Sequence, residues 1–391
     1  MDAGASERGA SDEDRGAPAA GRHRAIEHRA IELRVDVADA IGAGHAEMAA
    51  TVWLPDPVPE APVVCFGLPG GGYARRYWSF DLPGCTGDGQ AGWHVDRGWV
   101  FVTVDHLGVG ESTTPDVPVE LEVVAASTAA LVDHVVGRLA VGELAAGVGP
   151  RPDPTVLGFG QSMGAHFVLV TQAHRRSFHG IAMLGSSAIQ TVVPTGPASP
   201  PLALPWVLRT TACSPEPVIL NPDGAGPGGS GGSDGAGGSG GARPADRLVG
   251  GADENPLTWA FHFDDEDPAV VARDMAGDPP PPWRSATVPS CAGLGVVPGV
   301  VASEAASVTV PVFVGTGERD VVPNPWMEPF AYRSSPDVTV FVCPGMAHMH
   351  NFATTRERLW RRLHHWGSGV AADRAAAADS GRQARVAWPE T

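Results

Sequence analysis

The chain of 391 residues contains no lysine, so all 27 of its basic residues are arginines. A phosphate loop needs a lysine on the nucleotide, and pyridoxal phosphate needs one for its Schiff base; neither site can be built here. Cysteine is also scarce. Cys65, Cys85, Cys213, Cys291 and Cys343 are odd in number and far apart, with no C-x-x-C pair to hold zinc or run dithiol chemistry. They suit small buried apolar groups in a reducing compartment. No uninterrupted apolar run reaches about 18 residues, so no membrane span is expected. The opening MDAGASERGASDEDRG lacks the cationic start and apolar stretch of a secretory signal, which points to a cytoplasmic location. Basic charge is outweighed by 44 acidic residues, giving a formal charge of -17 with no basic stripe. Nucleic acid is therefore not an expected partner.

What is present is apolar and ordered in a telling way. With 43% hydrophobic residues the chain can bury a substantial core. Ala30 to Val37 and Ala46 to Leu54 read as an antiparallel opening pair. Val63 to Leu68, Val100 to Asp105, Thr155 to Phe159, Ile181 to Leu184, Val308 to Val314 and Val338 to Val342 are continuous apolar runs, the pattern of strands buried on both faces. Between them, Leu121, Val124, Thr128, Leu131, Val135 and Leu139 repeat at helical spacing, as do Leu359, Trp360, Leu363 and Trp366. The expected fold class is α/β, a mostly parallel eight-stranded sheet with helices on both faces. Residues 1–24 and 369–391 read as disordered tails. The core is expected at 25–188 and 306–368. Residues 189–305, after the sixth strand, read as an inserted cap that carries a Gly/Ser-rich linker at 222–241.

One stretch carries chemistry. In TVLGFGQSMG a short strand ends in Gly160-Gln161-Ser162-Met163-Gly164, and an apolar helix-like segment follows. This is the pattern of a nucleophile elbow, in which two glycines leave room for a strained turn that presents a serine hydroxyl. Glycine is so abundant, 50 residues, that Ser230, Ser233 and Ser239 match the same motif. Those lie in the linker, without a strand before or a helix after; only Ser162 has the required flanks.

A serine needs a base to take its proton and a third group to orient that base. Glu318 and Asp320 follow the seventh strand, and His348 and His350 follow the eighth, at the sheet edge where sites assemble. An oxyanion hole also needs two N–H donors. Met163, directly after the serine, supplies one, and the run Gly70, Gly71, Gly72 after the third strand lets the backbone approach a substrate oxygen closely. Candidate walls of a substrate pocket are Tyr73, His106, His350, Trp206, Trp259 and Trp283. Their aromatic character suggests a small-molecule substrate with a sizeable apolar part. Arg75, Arg76, Tyr77 and Trp78 can be read as a carboxylate clamp or as an exposed arginine pair over packed aromatics. The acidic run Asp264, Asp265, Glu266, Asp267 reads as a solvated face or a helix start, so neither metal nor cofactor is expected.

The order of these motifs resembles that of the α/β-hydrolase fold superfamily over about Ala30 to Gly367, apart from the insertion. Oxyanion glycines follow strand three, the serine elbow strand five, a cap strand six, an acid strand seven and a histidine strand eight. Asp105-His106-Leu107-Gly108-Val109-Gly110-Glu111-Ser112 also resembles the superfamily's D-x-x-G-x-G-x-S turn. The resemblance implies a triad of Ser162, Asp320 and His348, with Met163 and one of Gly70, Gly71 and Gly72 as oxyanion donors. Where many members place a histidine before the oxyanion glycine, this chain has Pro69. A serine at the elbow, rather than an aspartate, argues against dehalogenase or epoxide hydrolase chemistry. The implied activity is cleavage of carboxylic esters or thioesters. Acyl transfer, cleavage of C–C or amide bonds, and a non-catalytic ligand-binding shell are the alternatives, and nothing here sets the oligomeric state.

Overall fold

The computed structural model describes residues 28–82, 87–197, 199–203, 218–219, 256–275 and 280–386. The sixth-to-seventh-strand linker at 222–241, Trp206, the N-terminal 1–24, Cys85 and Cys213 lie outside the described residues.

The eight main strands are β1 (Arg29–Asp36), β2 (Glu47–Leu54), β3 (Val63–Leu68), β4 (Val100–Val104), β5 (Thr155–Gln161), β6 (Gly180–Leu184), β7 (Val312–Gly317) and β8 (Val338–Cys343). They form one sheet in the spatial order β1-β2-β4-β3-β5-β6-β7-β8. β1 runs antiparallel to β2, and β2 antiparallel to β4; every other pairing is parallel. The helices used below are α1 (Gly89–Val95), α2 (Leu121–Val141), α3 (Met163–Arg175), α4 (Pro256–Phe261), α5 (Pro268–Met275), α6 (Ala302–Ser307) and α7 (Arg356–Val386).

Alternation along the central strands sends neighbours to opposite faces. Val64, Phe66, Val100, Val102 and Val104 join a core with Val124, Leu131 and Val135 of α2 and Phe167 of α3. Val63, Cys65, Phe101, Leu157 and Phe159 join a second core with Ala91 of α1 and Leu359 and Leu363 of α7. Both faces of β3, β4 and β5 are therefore buried, which is why these strands read as unbroken apolar runs. The edge strands differ: β1 alternates toward solvent and β8 is half-buried. α2 is long and apolar enough to cross a membrane by length and composition, and 56% of its apolar window is buried inside the fold.

Two expectations shift. β7 begins at Val312 rather than Val308, because Pro311 has no N–H for the ladder; Val312 then donates to Asp337 O and the Pro311 carbonyl accepts from Ile181. The stretch from 369, expected as a disordered tail, continues as helix α7 to Val386. Its run of alanines has high helix propensity, and Arg374 anchors it to the carbonyl of Pro154, the hydroxyl of Thr155 and the carboxylate of Asp153.

The described part of the insertion contributes α4 and α5 and two short antiparallel pairs, Val192–Val193 with Leu202–Ala203 and Val218–Ile219 with Thr287–Val288. It meets the core through backbone: His348 N donates to Ala260 O at 3.1 Å and Met349 N to Phe261 O at 2.9 Å. The loop after β8 is thus held by the last turn of α4.

Candidate active site

Ser162 sits between β5 and α3 at φ 54°, ψ −120°, a left-handed conformation that non-glycine residues rarely adopt. The two glycines of the motif are sterically required. A Cβ at Gly160 would lie 2.3 Å from Ala165 Cα, and one at Gly164 would lie 2.1 Å from Leu68 O and 2.5 Å from Pro69 O. Ser162 N donates to Leu184 O at 2.8 Å, fixing the turn to β6.

Three remote side chains then meet. His348 Nε2 lies 3.0 Å from Ser162 Oγ, and His348 Nδ1 lies 2.7 Å from Asp320 Oδ1. The Asp320 side chain is 1% exposed and accepts four hydrogen bonds: from Val321 N (2.7 Å) and His348 on Oδ1, and from Gly317 N (2.8 Å) and His350 Nε2 (3.1 Å) on Oδ2. Burial alone would raise its carboxyl; the hydrogen bonds and charge of His348, then of His350, outweigh that and hold it well below the usual carboxylate range. Since a carboxylate only accepts, His348 Nδ1 carries the hydrogen and Nε2 faces the serine as an acceptor. Glu318, the other candidate acid, instead accepts from Gly345 N at 2.9 Å and braces the histidine loop.

His350, expected as a pocket wall, does not line the serine's cavity; its ring is a second donor to Asp320. The two histidines stand two residues apart, and both rings reach the same carboxylate.

A cavity of about 150 Å³ opens beside Ser162, bounded among others by Gly71, Met163, His166, Gly185 and Gly295. Of the three oxyanion glycines only Gly71 lines it. Gly70 packs against the elbow, where a Cβ would lie 2.3 Å from Gln161 Oε1, and Gly72 turns at φ 79° and accepts from Ser285 N. Met163 opens α3, so its N–H is one of the amides a helix leaves without an internal acceptor. His166 was not singled out in the sequence. It stands four residues after the serine on α3, and that helical offset is the signal that could have found it.

Several expected pocket walls have other work. His106 Nε2 donates to the carbonyl of Pro69 at 2.9 Å, and burial pushes the ring down to about 4, so it acts as a neutral brace for the glycine loop. Tyr73 donates to Asp274 Oδ2 at 2.7 Å, and Trp283 Nε1 to Asp274 Oδ1 at 2.7 Å. His262 completes this buried cluster, bridging Asp274 Oδ2 (3.1 Å) and Glu266 Oε2 (2.7 Å), while Arg284 pairs with Asp274 Oδ1 at 3.3 Å. Trp259 lies under Arg319, 4.1 Å from ring centroid to guanidinium carbon, and borders a separate cavity behind Asp320. Among the described residues no tryptophan lines the serine's cavity, so the expectation of a sizeable apolar substrate drawn from them does not hold there.

The arginine cluster is neither clamp nor exposed pair. Arg75 is buried and bonds Asp105 through its backbone N (2.6 Å) and Nη1 (2.5 Å), with Glu32 and Glu111 at 3.1 Å; only Arg76 is exposed. Asp105 belongs to the D-x-x-G-x-G-x-S turn, where Ser112 Oγ donates to its carbonyl at 2.8 Å, so that motif is a structural brace. In the acidic run Glu266 is buried against His262, while Asp264 pairs with Arg319. No group of metal-ligating side chains occurs among the described residues.

No protein-family model matches the chain, and no curated protein matches it. Solved structures do. The esterase RhEst1 from Rhodococcus sp. ECU1013 superposes with a TM-score of 0.52 at 12% identity, covering 88% of this chain and 100% of that one. A thermophilic esterase from Thermogutta terrifontis gives 0.50 at 13% identity over 87% and 99%. The peroxisomal α/β-hydrolase Lpx1 from Saccharomyces cerevisiae gives 0.50 at 11% identity over 93% and 99%. At such identities a likeness speaks for architecture, and together with the strand order and the serine elbow it identifies the fold of this chain as that of the α/β-hydrolases.

Proposed function

We propose that the chain is a serine hydrolase that cleaves carboxylic esters or thioesters through an acyl-enzyme on Ser162. The observation that carries this reading is the continuous hydrogen-bonded chain from Ser162 Oγ through His348 to Asp320. His348 Nε2 takes the serine proton as Oγ attacks the carbonyl carbon. Asp320 keeps the imidazole in the tautomer that presents a lone pair to Oγ and stabilises the imidazolium as it forms. The N–H groups of Met163 and Gly71, both on the wall of the cavity, receive the negative charge on the former carbonyl oxygen. Collapse expels the alcohol or thiol, which takes the proton from His348. Water, deprotonated by the same nitrogen, then attacks the acyl-enzyme and releases the acid. No cofactor is needed.

Ester cleavage is favoured over other acyl chemistry by the company this fold keeps, two esterases and a membrane phospholipase A among the solved structures it resembles. The cavity's size suits a short acyl group.

The test is hydrolysis of p-nitrophenyl acetate by wild type and Ser162→Ala, which should differ by several orders of magnitude at unchanged thermal stability. A fluorophosphonate should label Ser162 in wild type and not in His348→Ala. Equal turnover by wild type and Ser162→Ala would end the proposal.

A further inference from the structure

Gln161 is the residue of the elbow that the hydrolytic steps leave unused. It ends β5 directly before Ser162, and its side chain is fully buried. A buried amide is costly unless its polar atoms find partners. Nε2 donates to the carbonyl of His348 at 3.1 Å, with Met349 Sδ as a weak second acceptor at 3.7 Å. A carbonyl only accepts, so the amide meets His348 O through its NH2 group and turns Oε1 away. Oε1 abuts Gly70, where a Cβ would lie 2.3 Å from it, and no donor among the described residues reaches it. One half of this amide is therefore unpaired, and the other half is spent on His348.

That contact joins the two pieces whose separation decides the chemistry. Ser162 is carried by the elbow, with its N–H tied to Leu184 O. His348 is carried by the loop after β8, 186 residues further along the chain. The His348 backbone is held at both of its polar groups: the N–H donates to Ala260 O in α4, and the C=O accepts from Gln161. The insertion grips one end of the residue, and the strand that carries the nucleophile grips the other. A methionine at 161 has similar length but leaves His348 O without this donor.

We propose that Gln161 is a positioning residue: through the His348 carbonyl it holds Nε2 at the 3.0 Å from Ser162 Oγ that proton transfer needs. The inference rests on the hydrolase reading of Ser162 and adds a residue to its machinery. Gln161 is not on the wall of the serine's cavity, so loss of the tie alters the approach of base to nucleophile and leaves substrate binding alone.

The experiment measures kcat and KM for p-nitrophenyl acetate from pH 6 to pH 9 in wild type, Gln161→Met and Gln161→Glu, together with the rate at which a fluorophosphonate labels Ser162. In Gln161→Met, kcat and the labelling rate should both fall by about 10- to 100-fold, with KM changed by less than about twofold. In Gln161→Glu a carboxyl whose ionisation is disfavoured by burial replaces the amide. Protonated, it donates to His348 O and restores the tie; ionised, it sets a negative charge against that carbonyl. Its kcat relative to wild type should therefore rise as pH falls from 9 to 6, while the ratio for Gln161→Met stays flat. A carboxylate that merely made His348 more basic would move the ratio the other way, because the variant would lose its base at a higher pH than wild type. A kcat for Gln161→Met within about twofold of wild type, or equal losses in the two variants at every pH, overturns the inference. If Gln161→Met does not fold, Gln161→Glu decides alone, and a ratio that stays flat and well below one overturns it. Wild type separates the two levels: labelled and active beside variants that match it, it removes the positioning role alone, whereas neither labelled nor active it removes the hydrolase reading and this inference with it.

Discussion

The cluster that ties the insertion to the core makes a stability prediction that can be worked through. Asp274 is fully buried and receives hydrogen bonds from Tyr73, Trp283 and His262, with Arg284 as an ion-pair partner. Burial would lower the basicity of His262, but its hydrogen bonds and charge interactions with Asp274 and Glu266 outweigh this and raise it from 6.5 to about 9. A group more basic in the folded chain stabilises the fold fully while both states are protonated, below about pH 6.5, and that contribution disappears as pH rises through about 9. The difference corresponds to about 3 kcal/mol. In Asp274→Asn the carboxylate is gone while His262 stays buried and Arg284 half-buried, a loss of about 3–5 kcal/mol at pH 7. Urea unfolding at pH 7 and pH 10 on both proteins gives the test. Wild type should lose clearly more stability between these pH values than Asp274→Asn, because the variant has already lost one of the two carboxylates that hold the proton. Activity should fall with it, since Ala260 and Phe261, next to His262, hold the backbone of His348 and Met349. Parallel pH curves for the two proteins would refute a charged His262.

The neighbouring elements yield two further tests. Gly164→Ala places a Cβ 2.1 Å from Leu68 O, backbone that cannot give way cheaply; soluble protein should be lost or its thermal midpoint lowered by several degrees, and a wild-type melt would contradict the elbow geometry. His350→Ala leaves Asp320 three of its four hydrogen bonds, so turnover should drop by about tenfold while Asp320→Asn loses about 10⁴-fold, and equal losses would mean that the two histidines share the same role.

The strands and the elbow were legible because their causes are local. Burial on both faces leaves an uninterrupted apolar run, as in Val63–Leu68, and a strained turn at Ser162 demands glycine at 160 and 164 whatever surrounds it. The start of β7 and the helical end of α7 depart from the sequence pattern for local reasons too: a proline without an N–H, and alanines whose helix propensity outweighs a polar, low-complexity look. Tyr73, His106 and Trp283 had the character of pocket walls, yet the partners that occupy them, Asp274 and the Pro69 carbonyl, come from other parts of the chain.

From the sequence alone came the order of the chemical parts along an α/β chain, since each rests on periodicity or on the sterics of neighbouring residues. Tertiary structure alone settled the choices among near neighbours: Asp320 rather than Glu318 against the histidine, His348 rather than His350 against the serine, and Gly71 on the cavity wall. Residues one or two positions apart have the same composition and spacing; they differ only in the direction their side chains take once loops from distant strands pack, and that direction is set by contacts no local pattern contains.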